Sequence, residues 1–452
     1  MISYKNHRVI EVPLYLALIF VTILFNNATV LSYLYILSLG LTFFFIYKIK
    51  KVSLLSLYFF AYAIFNLYVI IPSINYLLLG KALFLAPTDK IFSDTEFYHL
   101  GQYLKNSTIG ILIYSSISMK QIGKVSKGIL LSYQSSLILF TFGVVLLLFQ
   151  VFHTGAIAHI GDGGYFRQQM GKFPPIYTYF IYIGLYLMFK SSKSWLNFYF
   201  SLFMLLIYIL FIIYAGTRGA ALAALFISAS GYFRHRTFSI NRKVIVRIVL
   251  LFAIFMFFTV RSRMPDNRPN MSMLEFIKIA PQFVNPGTVE YGTSYYNFAI
   301  MNEYSFHQDF PFQIYYEQFV GPTAISPTGD TVSVFYKYRD MYHAERKEKS
   351  GSSGGTGYSL QYEFYDNLGS FYWLMYLLMG ALFYYISQKN KYSENGISEL
   401  YTVMLIPYIV TIARSNFIVA ILFTKLIYAI ILFMAFSLLF KKHIKMKWRL
   451  NG

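Results

Sequence analysis

Apolar runs of about 18 residues or more recur along the whole chain, and a run of that length is typical of a helix that crosses a membrane. Only 13% of the residues are charged, about half the share found in soluble domains. The sequence therefore predicts an all-α polytopic membrane protein with about 12 transmembrane helices. The predicted spans are 12–26, 29–47, 52–72, 101–118, 129–152, 175–190, 195–214, 217–233, 244–260, 369–387, 398–413 and 416–440.

Clusters of basic residues lie between these runs and indicate their orientation. The clusters are Lys48–Lys51, Lys120–Lys127, Lys190–Lys193, Arg234–Arg247, Lys389–Lys391 and Lys441–Arg449. All of them fall on one side of the predicted membrane, which the positive-inside rule makes the cytoplasm. Both termini then face the cytoplasm, and the N-terminal run, which lacks a cleavage site, is predicted to be a retained first helix. The net charge of +20 follows from this distribution, so we expect no binding of nucleic acid.

The opposite, periplasmic side has three substantial loops, 73–100, 153–175 and 261–368. The chain accordingly divides into three parts. Residues 1–260 hold transmembrane helices 1–9, and residues 261–368 form one large periplasmic loop with short helices. Residues 369–452 hold transmembrane helices 10–12 and a basic cytoplasmic tail.

The residue types that usually hold metals are scarce. No cysteine is present, which excludes disulfides, thiol nucleophiles and thiolate metal sites. The periplasmic histidines lack the spacing of metal ligands. They are His99, His153, His159, His307 and His343. The sequence therefore predicts no metal site and no cofactor.

Several arginines break the charge pattern because they lie on or near the periplasmic side. Arg218 and Arg414 occupy tight turns between adjacent spans, whereas Arg261 and Arg263 follow the end of a span and Arg167 lies in a loop. An arginine near the membrane is either functional or an interfacial side chain that reaches water. We favour the second interpretation for Arg261 and Arg263 and the first for Arg218 and Arg414. Arg218 also opens a predicted helix among small residues. A helix N-terminus and a guanidinium both favour phosphate oxygens.

A second group of polar residues precedes the span 369–387. Glu363 and Asp366 lie three residues apart, and on a helix they would share one face. A carboxylate in a partly dry site can act as a general base for a sugar hydroxyl. The alternative is an acidic residue that stabilises a helix N-terminus, and we favour that alternative for Asp366. Glu303, Asp309 or a histidine of the large loop remain alternative bases.

These motifs resemble the Wzy family of O-antigen or oligosaccharide repeat-unit polymerases. The resemblance rests on "GTRGA" at 216–220, "YSLQYEFYDNLG" at 358–369 and "ARSNF" at 413–417. The family often has a serine, a glutamate and an Asn-Phe-Gly-like step before a late span. Ser359, Glu363, Asn367 and Gly369 match that pattern, but Leu368 replaces the aromatic residue. The family also often has Arg-Gly before its last helix, whereas Ser415 follows Arg414 here.

The resemblance implies a metal-independent membrane glycosyltransferase of the GT-C type in the bacterial inner membrane. Its substrates would be undecaprenyl-diphosphate-linked oligosaccharides, joined at the periplasmic face, and a Wzz-type chain-length regulator would be its partner. Glu363 would be the catalytic base. Arg218, which would also act in catalysis, would bind the departing diphosphate together with Arg167, Arg261 and Arg414, while Ser359, Asn367 and Gly369 would support the motif.

Three alternatives remain open. An O-antigen ligase shares the topology and the donor, but we would expect a more prominent histidine motif near the end of its large loop. A transporter of polysaccharides or lipid-linked oligosaccharides would lack the large loop and would have polar residues deep within many spans. A non-catalytic membrane scaffold, the third alternative, would not need outward-facing arginines in tight turns between helices. The sequence favours the polymerase over all three alternatives.

Overall fold

The structure is a computed structural model, and its fold can be described over most of the predicted spans. The described residues are 4–80, 96–117, 129, 131–159, 170, 176–215, 218–234, 295, 298–299, 301–302, 360–392, 396–410 and 419–439. Among these residues the chain is helical, and no strand is present.

The described helices are numbered here in chain order. Their bounds are α1 Tyr4–Leu24, α2 Ala28–Phe44, α3 Leu57–Leu79, α4 Glu96–Ser116, α5 Tyr133–His153, α6 Ile176–Ser191, α7 Trp195–Tyr214, α8 Arg218–Tyr232, α9 Leu360–Leu368, α10 Trp373–Tyr392, α11 Gly396–Ile409 and α12 Val419–Leu439. A π-helical turn, Phe45–Ile49, extends α2. Short 3-10 turns follow α5 and α9.

Small polar residues fix where several of these helices begin. Asn27 accepts hydrogen bonds from the first backbone N–H groups of α2, and Ser56, Ser132 and Ser194 cap α3, α5 and α7 in the same way. Each cap satisfies a donor that has no partner within the helix. The apolar run thus determines that a helix forms, and the cap residue determines where it starts.

Four of the described helices are long and apolar enough to cross a membrane. They are Ala28–Ile49, Leu57–Leu78, Tyr133–His153 and Trp195–Ile213. The pair of α9 and α10 makes a fifth if the two helices form one broken span. These findings indicate a membrane protein.

Each predicted span contains a described helix except 244–260, which lies outside the described residues. The number of 12 spans and the sides of the loops stay predictions.

The helices fall into two compact units. Unit 1 comprises Met1–Gln121, Pro281–Ile386 and Thr411–Phe423. Unit 2 comprises Ile122–Ala280, Ser387–Val410 and Thr424–Gly452.

Tyrosines form much of the core of unit 1. The rings of Tyr58 on α3 and Tyr114 on α4 stack with 4.7 Å between their centroids. Each hydroxyl donates to the backbone carbonyl of the other residue at 2.9 Å. The Tyr35 hydroxyl donates to the Asn66 side chain at 2.7 Å. A buried tyrosine is tolerated where its hydroxyl has a partner, and in these pairs neighbouring helices supply it.

A buried ion pair lies at one end of unit 1. The Lys50 ammonium is 2.6 Å from a carboxylate oxygen of Glu11 and also donates to the Ser115 carbonyl. The Ser115 hydroxyl donates to the Tyr15 hydroxyl at 3.1 Å. These contacts bring together the start of α1, the segment after α2 and the end of α4. The alternating directions of the predicted spans require the same grouping.

Helix α6 is the central element of unit 2, and 181–189 of it are buried. Glycines allow its neighbours to approach closely. A Cβ on Gly184 of α6 would lie 2.7 Å from the backbone of Phe140 on α5, and one on Gly143 of α5 would lie 2.7 Å from the Ile181 backbone nitrogen. Gly231 of α8 meets Tyr186 even more closely, at 2.3 Å from its carbonyl oxygen. Small residues at such crossings are characteristic of helix packing in membranes.

A buried carboxylate joins four segments of unit 2. Glu399 is 1% exposed and accepts from the Lys190 ammonium and the Tyr186 hydroxyl, both at 2.5 Å. It also accepts from the Ile129 backbone N–H at 2.6 Å, and the guanidinium of Arg234 lies 3.8 Å away. The contacts satisfy the carboxylate within the protein, so Glu399 is a structural group.

Candidate functional site

Helix α9 carries the polar motif that precedes α10. It is bent by 118° from α10, and Gly369 lies at the bend with a φ of +52°. Because L-residues rarely adopt a positive φ, a glycine is the natural residue there. The sequence places the motif at the mouth of a span, and the structure adds that α9 does not continue along the axis of that span.

Glu363 lies on α9 with 0% of its surface exposed, whereas Asp366 is half-buried. The amide of Asn367 donates to the Glu363 backbone carbonyl at 2.8 Å. Glu363, Asn367 and Gly369 therefore lie together at the end of α9. A carboxylate that is wholly buried in a membrane protein is costly to maintain and marks a functional candidate.

Aromatic residues of unit 1 enclose α9. The Gln361 amide donates to the Tyr103 hydroxyl on α4 at 3.1 Å. The ring of Phe364 meets that of Tyr376 on α10 edge-on, with 4.9 Å between the centroids, and Tyr362 meets Phe298 at 6.0 Å. One face of α9, which includes Glu363 and Asn367, is thus buried within unit 1, whereas Tyr365 on another face is exposed.

A chain of polar side chains lies at the start of α4, close to Tyr103 in the sequence. The Asn302 amide lies 3.2 Å from Nδ1 of His99 and donates to the side-chain oxygen of Gln102. The Gln102 amide donates to the Tyr98 hydroxyl at 2.6 Å. His99 is buried. The first two turns of α4 and Asn302, from the predicted loop 261–368, thus meet within unit 1.

The predicted arginines are only partly within the described residues. Arg218 is the first residue of α8 in unit 2. Arg167, Arg261 and Arg414 lie outside the described residues, as does Ser359. Their predicted roles stay predictions.

Residues that follow Arg218 contact α6 and the end of α11 within unit 2. The hydroxyl of Tyr182 on α6 donates to the Ala220 carbonyl at 3.2 Å. A Cβ on Gly219 would lie 3.3 Å from a methyl group of Val410, directly after α11. The first N–H groups of α8 have no partner within the helix, and such groups favour an anion.

Lys425, a lysine on the apolar helix α12, is not among the site residues predicted from the sequence. It is 5% exposed, and its ammonium donates to the Tyr179 hydroxyl. The ammonium also lies 4.6, 4.9 and 5.2 Å from the ring centroids of Tyr179, Tyr408 and Tyr428. A charged residue within a predicted span is itself a signal of function, and that signal was available from the sequence.

Within the described part of the chain, no group of three or more His, Asp or Glu side chains is placed to hold a metal ion. The absence of a cofactor stays a prediction. No family model matches the sequence, and neither a curated protein nor a solved structure is significantly similar to it.

Proposed function

We propose that the chain is a membrane glycosyltransferase that polymerises undecaprenyl-diphosphate-linked oligosaccharide repeat units at the periplasmic face of the bacterial inner membrane. The observation that carries the proposal is Glu363, a wholly buried carboxylate in the motif that resembles the Wzy polymerases. The face of α9 that holds it packs against aromatic side chains, and burial of this kind strengthens electrostatic and proton-transfer chemistry.

In the proposed reaction, a sugar hydroxyl of the incoming unit attacks the anomeric carbon of the growing chain. Glu363 takes the proton from that hydroxyl as the new glycosidic bond forms. The bond from the anomeric carbon to the diphosphate oxygen breaks, and undecaprenyl diphosphate leaves with the electron pair. Positive groups that stabilise the departing anion lower the barrier, and we assign this role to Arg218, Arg167, Arg261 and Arg414.

The role of Glu363 is tested by Glu363→Gln in a strain from which the gene has been deleted. Glutamine keeps the shape of the side chain and removes the base, so polymer formation should fall by about 100-fold or more at normal protein levels. Asp366→Asn on the same helix is the matched control and should retain most of the activity. Full activity of Glu363→Gln at normal protein levels would remove Glu363 from the chemistry.

The deletion strain itself separates the polymerase from its alternatives. Loss of a polymerase leaves single repeat units on the final acceptor. Loss of a ligase instead leaves full-length polymer on the carrier lipid, and loss of a transporter keeps the repeat units in the cytoplasm. Electrophoresis of the surface polysaccharide, together with analysis of the lipid-linked fraction, distinguishes these three patterns.

A further inference from the structure

Lys425 is a buried lysine on the apolar helix α12. Among the described residues it takes part in no ion pair, because the ion pairs there involve Glu11 with Lys50 and Glu399 with Lys190 and Arg234. The surroundings of Lys425 differ from those of the buried lysines Lys50 and Lys190. Each of those two has a carboxylate within 2.6 Å of its ammonium, whereas the ammonium of Lys425 lies against three tyrosine rings.

The tyrosines contact the ammonium but supply no counter-charge. A cation is attracted to the negative face of an aromatic ring, and the centroids of the three rings lie within 5.2 Å of the Lys425 nitrogen. A ring carries a quadrupole and no net charge, so an anion would still be favoured beside the lysine. An ammonium also has three N–H donors, and the hydroxyl of Tyr179 takes one of them.

The same parts of α6 and α11 contact both Lys425 and the first turn of α8. Tyr179 and Tyr182 lie one turn apart on α6, and they contact Lys425 and the Ala220 carbonyl respectively. Tyr408 lies against Lys425, and a Cβ on Gly219 would lie 3.3 Å from Val410, two residues after Tyr408. The lysine and the first turn of α8 therefore share two contacting segments of unit 2. Both favour a negatively charged group.

We propose that Lys425 binds the diphosphate of a polyprenyl-linked substrate, together with the N-terminus of α8. The lysine is buried on the apolar helix α12. An anion that reaches a buried site in an apolar region is best delivered by its own lipid tail, which distinguishes a lipid-linked diphosphate from free pyrophosphate. The identity of the lipid as undecaprenyl diphosphate rests on the proposed function.

The test measures binding rather than turnover. Full-length purified protein in lipid nanodiscs is titrated with undecaprenyl diphosphate and, in a parallel arm, with inorganic pyrophosphate. Lys425→Met should weaken binding of the lipid by about 10- to 100-fold, the loss expected for one or two charge-assisted hydrogen bonds. Lys425→Gln removes the charge but keeps a donor toward Tyr179, so it should weaken binding similarly while preserving the fold.

Lys105→Met is the matched control. Lys105 lies on α4 of unit 1, where its ammonium donates to the Ile23 carbonyl and the Asn26 side chain. The same chemical change there should leave the affinity for undecaprenyl diphosphate unchanged.

Three results would overturn the inference. Equal affinity of wild type and Lys425→Gln would make the lysine a structural link between α6, α11 and α12. Equal binding of inorganic pyrophosphate would show that no lipid is needed. An equal loss in Lys105→Met would show that any membrane-embedded positive charge has this effect.

If the Lys425 variants lose binding but wild type makes no polymer, the binding site stands and the proposed polymerase fails. If wild type makes polymer and the variants bind normally, only the inference fails.

Discussion

Neutralising Glu399 should destabilise unit 2 without any direct effect on catalysis. Its carboxylate oxygens accept from Lys190, Tyr186 and the Ile129 N–H within 2.6 Å. Glu399→Gln would replace one of these oxygens with an NH₂ group that faces donors. The side chains of Lys190 and Arg234 are only 4% and 9% exposed, so their charges would remain buried without a counter-charge.

The expected loss is about 3–5 kcal/mol in the free energy of unfolding, the usual cost of removing one member of a buried ion pair. It can be measured by reversible unfolding of the purified protein in mixed detergent micelles. Lys190→Met, which removes the other charge, should cost a similar amount. The double variant should be more stable than the sum of the two losses predicts, because the two residues act as one group.

Lys193→Met provides the control for the change in net charge. Lys193 is exposed and lies three residues after Lys190, so its replacement should change the stability by about 0.5 kcal/mol or less. A loss below about 1 kcal/mol for Glu399→Gln, or strict additivity with Lys190→Met, would contradict the description of Glu399 as a structural group with buried, charged partners.

Substitutions at three further residues test the helix crossing, the bend and the diphosphate site. Gly184→Val should reduce folded protein and lower the thermal unfolding midpoint, because the added side chain meets the backbone of Phe140 and overpacking costs about 1–3 kcal/mol; an unchanged midpoint would contradict the close helix crossing. Gly369→Ala should cost about 1 kcal/mol and Gly369→Asn less, because asparagine tolerates a positive φ better; equal unfolding free energies for both variants would contradict the left-handed bend. Arg218→Ala should reduce polymer formation by about 100-fold, and Arg218→Lys should restore it only in part because lysine lacks the planar fork; near wild-type polymer from Arg218→Ala would remove it from the site.

Much of the helical framework follows from the sequence, because a long apolar run leaves the backbone few alternatives to a helix. The predicted span 195–214 matches α7 in both bounds, and 217–233 differs from α8 by one residue at each end. The bend at Gly369 was not predicted, because hydrophobicity does not report the direction of a helix. The span 52–72 also missed the last turns of α3, which continue to Leu79.

The site was only partly accessible from the sequence. Glu363 was found because it lies in a local motif, and the structure adds that it is wholly buried. Glu399 and Lys425 were missed because partners such as Ile129 of Glu399 and Tyr179 of Lys425 lie 270 and 246 positions away in the sequence. Both nevertheless carry a charge within a predicted apolar span, and such residues are rare enough in membranes to merit individual attention.

The most direct test of the central claim uses the purified protein with undecaprenyl-diphosphate-linked repeat units as the only substrate. The account predicts a ladder of longer lipid-linked chains, formed also in the presence of EDTA, because arginines are proposed to stabilise the leaving diphosphate in place of a divalent ion. A ladder that is lost in EDTA and restored by Mg²⁺ would contradict that mechanism. The absence of any covalent product from active, folded protein would contradict the assignment as a polymerase.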